Sequence, residues 1–202
     1  MHAPREHAEL ADLIQWIDQH TAGIELPADE RSMLAVGCFD VTLEHQAAYA
    51  LLHSSQLYGS ALALLRSLTE SLVRGLWILH CATDADVERF KRGVVKQDFQ
   101  ELIDAFEVKI GTGPGVLSGL KARAWKAMNG FTHTGFVQVS RRHKPGLVEA
   151  NYEEAELAQA LDAAGALGMV AAGQLIGMSN RPERLPLFTA RMQAYGSKRA
   201  AA

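Results

Sequence analysis

The chain has 202 residues, of which 48% are hydrophobic and 21% are charged, a balance that excludes an intrinsically disordered protein. The net charge is only −3, and the length fits a single domain with a sizeable core. The N-terminal sequence MHAPREHAELADLIQW lacks the apolar stretch of a signal peptide, and the lightly charged run 163–178 is short of a membrane span. We therefore expect a cytoplasmic protein that does not enter a membrane.

Helical periodicity begins near the N-terminus. Apolar residues on one face predict a first helix over 6–20, and a second, longer helix over 28–55 follows Pro27. A break at Tyr58-Gly59 is expected to turn the chain back into a third helix over 60–80. This third helix is apolar around most of its circumference, which is typical of a helix inside a bundle.

Shorter elements follow the third helix. Thr83 is the predicted N-cap of one short helix, and a further helix is expected over 96–110. The sequence GTGPG at 111–115 is the strongest break in the chain. It lacks the Lys-Ser/Thr pair of a P-loop and follows a helix, so we do not expect it to bind phosphate.

Two more long helices are predicted over 116–139 and 152–178, the first interrupted at Gly130 or Gly135 and the second capped by Asn151. The pattern predicts an all-α fold, a bundle of five to seven helices. We expect residues 1–180 to form one helical-bundle domain, followed by a short helix and a basic tail over 181–202.

Three charged residues stand on the apolar third helix. Arg66, Glu70 and Arg74 are four residues apart, so their side chains line one stripe. On a solvated face, each ion pair would contribute only a few tenths of a kcal/mol. In a buried stripe, Glu70 must be paired, and an Arg-Glu-Arg row with one net positive charge would suit an anion such as phosphate. The sequence leaves both alternatives open.

A second polar set occurs in the segment WKAMNGFTHTG. Lys126, Asn129 and His133 share one helical face, and Arg123 adjoins it. A histidine for proton transfer, cations for a charged transition state and an amide for orientation would suit chemistry at a phosphodiester. Alternatively, His133 is a hydrogen-bonded histidine where two helices cross, with Asn129 setting its tautomer.

We expect the two polar sets to meet in space, because burying each separately would leave desolvated groups without partners. Glu70 should then hydrogen-bond an arginine, and His133 should lie within one water-bridge of that network. The absence of Asp and Glu from 108–148 also predicts a local basic surface. No metal-ligand motif is present, so we expect neither a metal nor another cofactor.

The run of small residues from Ala163 to Gly177 allows close helix approach, either within the bundle or across a homodimer. The segments SALALLRSLTESLVRGLWILHCATDADVERF and WKAMNGFTHTGFVQVSRR resemble a family of uncharacterised bacterial helical proteins, over residues 40–180. More distantly, the chain is similar to the HEPN superfamily of small helical bundles. Many of those proteins are toxins or defence proteins that cleave RNA through a closely spaced Arg and His, commonly as dimers. Arg74 and His80 match that motif.

The resemblance implies a HEPN-like, metal-independent ribonuclease or a nucleotide-binding or phosphate-binding toxin, acting as a homodimer on RNA or a nucleotide. In this interpretation His133 or His80 is the general acid or base, with Glu70 in the same catalytic set. The predicted phosphate-binding residues are Arg66, Arg74, Arg123, Lys126 and Asn129. The alternative is a non-catalytic helical module for dimerisation or protein interaction, in which both polar sets are structural.

Overall fold

A computed structural model describes residues 5–200, with side chains described through residue 196. Over this part of the chain, the protein is 76% helical and contains no β-strand, which confirms the all-α prediction. Residues 5–200 form nine α-helices, more than the five to seven expected, because the predicted helix over 116–139 is divided and short helices lie between the long ones. Their bounds are α1 Arg5–Thr21, α2 Glu30–Ser54, α3 Tyr58–His80, α4 Asp84–Lys91, α5 Phe99–Lys109, α6 Val116–Thr132, α7 Phe136–Ser140, α8 Glu154–Met178 and α9 Leu185–Ala200.

Helix α3 lies at the centre of the bundle. It packs against α2, α5, α6 and α8, and its most extensive neighbour is α2. Leu68 and Leu72 have no exposed surface, as expected for the central helix. Because these two leucines sit on a helix that four others cover, the charged stripe on α3 is held in a fixed position relative to α6.

Two predicted boundaries are wrong. The turn between α2 and α3 does not use Gly59, which lies inside α3. The chain reverses before it, where Gln56 adopts a positive φ of 61°. The N-cap of α8 is Glu153 rather than Asn151. Neither α3 nor α8 begins with a side-chain capping hydrogen bond, so residue type did not indicate where these helices start.

The division of the predicted 116–139 helix occurs at His133–Gly135, between α6 and α7. The Gly135 N–H donates to Gly130 O at 2.7 Å, and a Cβ at Gly135 would come within 3.0 Å of the Gly130 Cα. A Cβ at Gly130 would overlap Val137 of α7. The two glycines therefore allow a tight turn directly after His133.

Helix α9 packs against α1 and α8. Phe188 and Tyr195 of α9 join Leu13, Ile17 and Met169 in a second apolar cluster. Within the described residues, α8 is the one helix with the length and hydropathy to cross a membrane, and 56% of its most apolar window is buried inside the bundle. Burial of this kind is expected for the core helix of a bundle.

The small residues of α8 serve two different surfaces. A Cβ at Gly165 would overlap the Tyr195 hydroxyl, and a Cβ at Gly168 would overlap the Gln46 side chain. At Gly173 and Gly177, no atom lies within 4 Å of the position of a Cβ. The first pair therefore permits close packing inside the bundle, whereas the second pair faces open space.

Candidate functional site

The side chain of Arg66 is the centre of a polar network between α3 and α6. Its Nε donates to Glu70 Oε1 at 2.8 Å, and its Nη1 donates to Asn129 Oδ1. The same Nη1 lies 2.9 Å from His133 Nε2. The prediction that the two polar sets meet is therefore confirmed. The functional roles of these residues remain predictions.

Glu70 links Arg66 to Arg74. Its second carboxylate oxygen accepts from Arg74 Nη2 at 3.3 Å. The side chains of Arg66 and Glu70 are 24% and 20% exposed, so the stripe is neither fully solvated nor fully buried. Two arginines and one carboxylate leave the row with one net positive charge in a partly desolvated position. Such a charge attracts anions more strongly than a surface charge does.

The hydrogen bonding determines the tautomer of His133. A guanidinium has donors and no acceptors, so Nε2 must accept from Arg66 and the proton of the neutral ring lies on Nδ1. His133 is exposed, and its Nδ1 has no partner among the residues that the structure describes. The expected role of Asn129 in setting this tautomer is wrong, because Asn129 bonds to Arg66 and acts on His133 only through it.

Two aromatic side chains, which the sequence reasoning missed, support the network. The Arg66 guanidinium carbon lies 5.0 Å from the centre of the Trp125 ring, and Trp125 stacks on Phe99 of α5 at 4.3 Å. A cation over an aromatic face gains electrostatic stabilisation and loses mobility. The i,i+4 spacing of Trp125 and Asn129 could have indicated that both face α3. No sequence signal pointed to Phe99.

The structure does not bring His80 to this network. His80 lies fourteen residues after Arg66, which is about 21 Å along the helix axis. Its Nε2 lies 2.8 Å from Gln174 Oε1 of α8, and its ring lies against Phe106. Arg74 bonds in the opposite direction, to Glu70. The two residues of the HEPN-type motif therefore have separate partners in this chain.

Arg123 and Lys126 also lie outside the hydrogen-bonded network. Both side chains are exposed and make no ion pair among the described residues. The Arg123 guanidinium lies over Gly119 of its own helix, with Nη1 3.2 Å from the position of a Cβ there. Lys126 precedes Asn129 by about one helical turn and contributes positive charge near the network without bonding to it.

The Gly-rich segment before α6 is occupied by a carboxylate. Glu107 accepts from the N–H groups of Gly115, Leu117 and Ser118 at 2.9, 3.0 and 3.0 Å, and from the Ser118 hydroxyl at 2.5 Å. Burial would raise the pKa of Glu107, but these hydrogen bonds outweigh it and lower the pKa below its usual value. These three N–H groups at the start of α6 are thus already paired with a carboxylate of the chain itself.

The stripe also has a half-buried thiol, Cys38, as a neighbour. Burial raises the pKa of Cys38 to about 11, and the nearby charge of Arg74 opposes that rise. A thiol with such a pKa stays protonated near neutral pH and is a poor nucleophile. Among the described residues, no group of three or more His, Cys, Asp or Glu side chains could hold a metal ion.

An apolar groove lies on another side of the molecule, between the end of α3, α8 and α9. Its volume is ≈ 480 Å³. His80 and Gln174 form a polar pair at this groove, and Gly173 and Gly177 face it. The remaining lining is mostly apolar: Leu79, Met169, Val170, Met178, Leu185, Phe188 and Met192.

Comparison with known proteins gives one family. Residues 39–197 match the family of unknown function DUF6988, and because this match covers more than half of the chain, the protein belongs to that family. No curated protein and no solved structure matches. The matched residues include both polar sets, so the Arg66 network lies entirely within the region that defines the family.

Proposed function

For this member of the DUF6988 family, we propose that the Arg66 network between α3 and α6 binds a phosphate group of RNA or of a nucleotide. The observation that carries the proposal is the fixed position of Arg66, which Glu70, Asn129, His133 and Trp125 all contact. Its Nη2 has no acceptor among the described residues and can donate to a phosphoryl oxygen. A guanidinium that is already ordered loses little entropy when an anion binds.

The neighbouring groups add to this attraction. His133 can donate a second hydrogen bond from Nδ1, and Arg74 supplies the net positive charge of the row. Lys126 and Arg123 increase the positive potential at longer range. The resemblance to the HEPN superfamily supports RNA as the ligand. In a ribonuclease of this design, His133 would carry the proton transfer, since His80 lies at the other end of α3.

Binding of a fluorescein-labelled single-stranded RNA, measured by fluorescence anisotropy, tests the proposal. Arg66→Gln should weaken binding about tenfold or more, because charge-assisted hydrogen bonds contribute roughly 1.5–3 kcal/mol. It should also reduce the dependence of affinity on salt, because one cation is removed. Glu70→Gln frees Arg66 and Arg74 from the carboxylate that positions them, and His133→Ala removes a donor. Each should cost more in the free energy of RNA binding than in the free energy of unfolding. Arg181→Gln is the matched control, because Arg181 is an exposed arginine with only a 4.0 Å ion pair to Glu183.

Equal affinity and equal salt dependence for the wild type and Arg66→Gln would contradict phosphate binding at this site. Cleavage is a separate question, answered by incubating end-labelled RNA with the protein in the presence of a chelator. Cleavage by the wild type and not by His133→Ala would support a metal-independent ribonuclease. If the RNA binds and stays intact, the protein binds RNA without cleaving it.

A second candidate function is homodimerisation or protein interaction through the groove between α3, α8 and α9. The open space at Gly173 and Gly177 favours it, because small residues let another helix approach closely. Light scattering at micromolar concentration that gives only the mass of one chain, 22.0 kDa, would exclude the homodimer. The cytoplasmic location expected from the sequence stays a prediction.

A further inference from the structure

Exposed apolar side chains are concentrated directly after His133. Phe136, the first residue of α7, is 86% exposed, and Val139, Leu147 and Val148 are exposed as well. Among the residues that the structure describes, Phe136 is the only exposed Phe, Trp or Tyr side chain. Single exposed aliphatic residues are common, but an aromatic ring at this exposure beside a polar site indicates a binding surface.

The backbone of this segment is well anchored. The bond from Gly135 N–H to Gly130 O fixes the turn that presents Phe136. Further along, Lys144 and Leu147 pair through both of their backbone bonds, at 3.0 and 2.9 Å. A ring on a fixed backbone can contact a ligand without a large loss of conformational entropy.

The charge of the segment complements a polyanion. No Asp or Glu occurs between Val108 and Val148. Arg142 and His143 are exposed and make no ion pair among the described residues, whereas Lys144 pairs with Glu149. Arg142 is therefore a cation without an ion-pair partner among the described residues, six positions after the exposed ring of Phe136 along the chain.

Phe136 also lies close to the phosphate site. It follows His133 by three positions, so the two Cα atoms are within about 11 Å of each other. Trp125, the aromatic residue inside the site, already packs against both Arg66 and Phe99. Phe136 is consequently the aromatic ring that remains accessible to a ligand held by Arg66 and His133.

We propose that Phe136 is a stacking platform for a nucleobase, and that the ligand of the site is single-stranded nucleic acid with its bases unpaired. This inference rests on the proposed phosphate binding at Arg66 and names the class of ligand. Every base has a π-face, so one aromatic ring provides affinity for unpaired bases without selecting a sequence. A duplex keeps its bases stacked on each other and has no free face to offer.

An anionic membrane is the other polyanion that an apolar and basic surface could meet. Exposed acids disfavour it. Glu149 directly follows Leu147 and Val148, and Glu153 and Glu154 come four and five positions later. A broad anionic bilayer would have to approach these carboxylates as well as the cations, whereas a single strand contacts a much smaller area.

The test compares the wild type, Phe136→Ala, Phe136→Trp and Arg66→Gln for binding to a short labelled single strand and to the matching duplex. Phe136→Ala should weaken single-strand binding about 5- to 150-fold, the range for loss of one base stack. The salt dependence should stay unchanged, because no charge is removed. Phe136→Trp should restore binding, and duplex affinity should be the same for the wild type and Phe136→Ala.

Val116→Ala is the matched control, because Val116 is similarly exposed and lies about 25 Å along α6 from His133. Phe136→Ala with the affinity of Val116→Ala would overturn the inference, and the phosphate proposal would stand if Arg66→Gln still weakened binding. If Arg66→Gln also has no effect, the phosphate proposal fails. Vesicles of phosphatidylserine and phosphatidylcholine that bind the wild type but not Phe136→Ala, with no strand binding, would replace the inference with membrane docking.

Discussion

Glu107→Gln should destabilise the protein, because the Glu107 carboxylate organises the start of α6. The side chain is 3% exposed and accepts four hydrogen bonds, from Gly115, Leu117 and both donors of Ser118. A glutamine has the same shape, but its amide nitrogen would face some of these donors and leave about two without an acceptor. Each buried donor left unpaired costs about 1–3 kcal/mol, so two of them should lower the free energy of unfolding by about 2–6 kcal/mol.

Urea unfolding at neutral pH, followed by circular dichroism, measures this loss. Glu88→Gln is the control, because Glu88 is an exposed glutamate in a surface ion pair, and it should change stability by less than about 0.5 kcal/mol. The lowered pKa of Glu107 adds a second test. Its contribution is present above the usual pKa of 4.5 and is lost as the pH falls through the lower folded-state pKa. A loss below about 1 kcal/mol at neutral pH, or a difference that does not shrink in acid, would refute the reasoning.

Three further predictions concern the core. Leu68→Ala should cost about 2–5 kcal/mol in urea unfolding, because the side chain has no exposed surface, and a loss below about 1 kcal/mol would mean that α3 is not central. Gly168→Ala should lower the melting temperature because its Cβ would overlap Gln46, whereas Gly173→Ala should be neutral or stabilising. Equal effects would contradict the two packing environments. Burial, with the charge of His7, lowers the pKa of His53 below its usual 6.5, so stability should fall as the pH drops below 6.5. His53→Phe should remove that dependence, and a pH profile that is the same for the wild type and His53→Phe would mean that His53 has the same pKa in the folded and unfolded states.

The sequence by itself determined the helical class, the central position of α3 and the meeting of the two polar sets. The first two follow from local periodicity, because a helix that is apolar on most sides must be covered by others. The meeting of Arg66 with Asn129 and His133 followed from a desolvation argument. Charged side chains on a core helix need hydrogen-bond partners, and the segment that became α6 carries the polar residues best placed to provide them.

Only the tertiary structure decided which additional side chains contact Arg66 and which predicted site residues lie away from it. Trp125 and Phe99 support Arg66 because α5, α6 and α3 converge there, and periodicity does not determine how helices are rotated against each other. Arg74 and His80 match a motif in sequence, yet a separation of six positions on a helix places them about 120° apart around its axis. Arg74 bonds to Glu70, whereas His80 bonds to Gln174. Glu107 lies at the end of α5, but the donors that it satisfies begin α6 across a Gly-rich turn. Contacts of this kind depend on the path of the backbone in space, which the local pattern of residues does not specify.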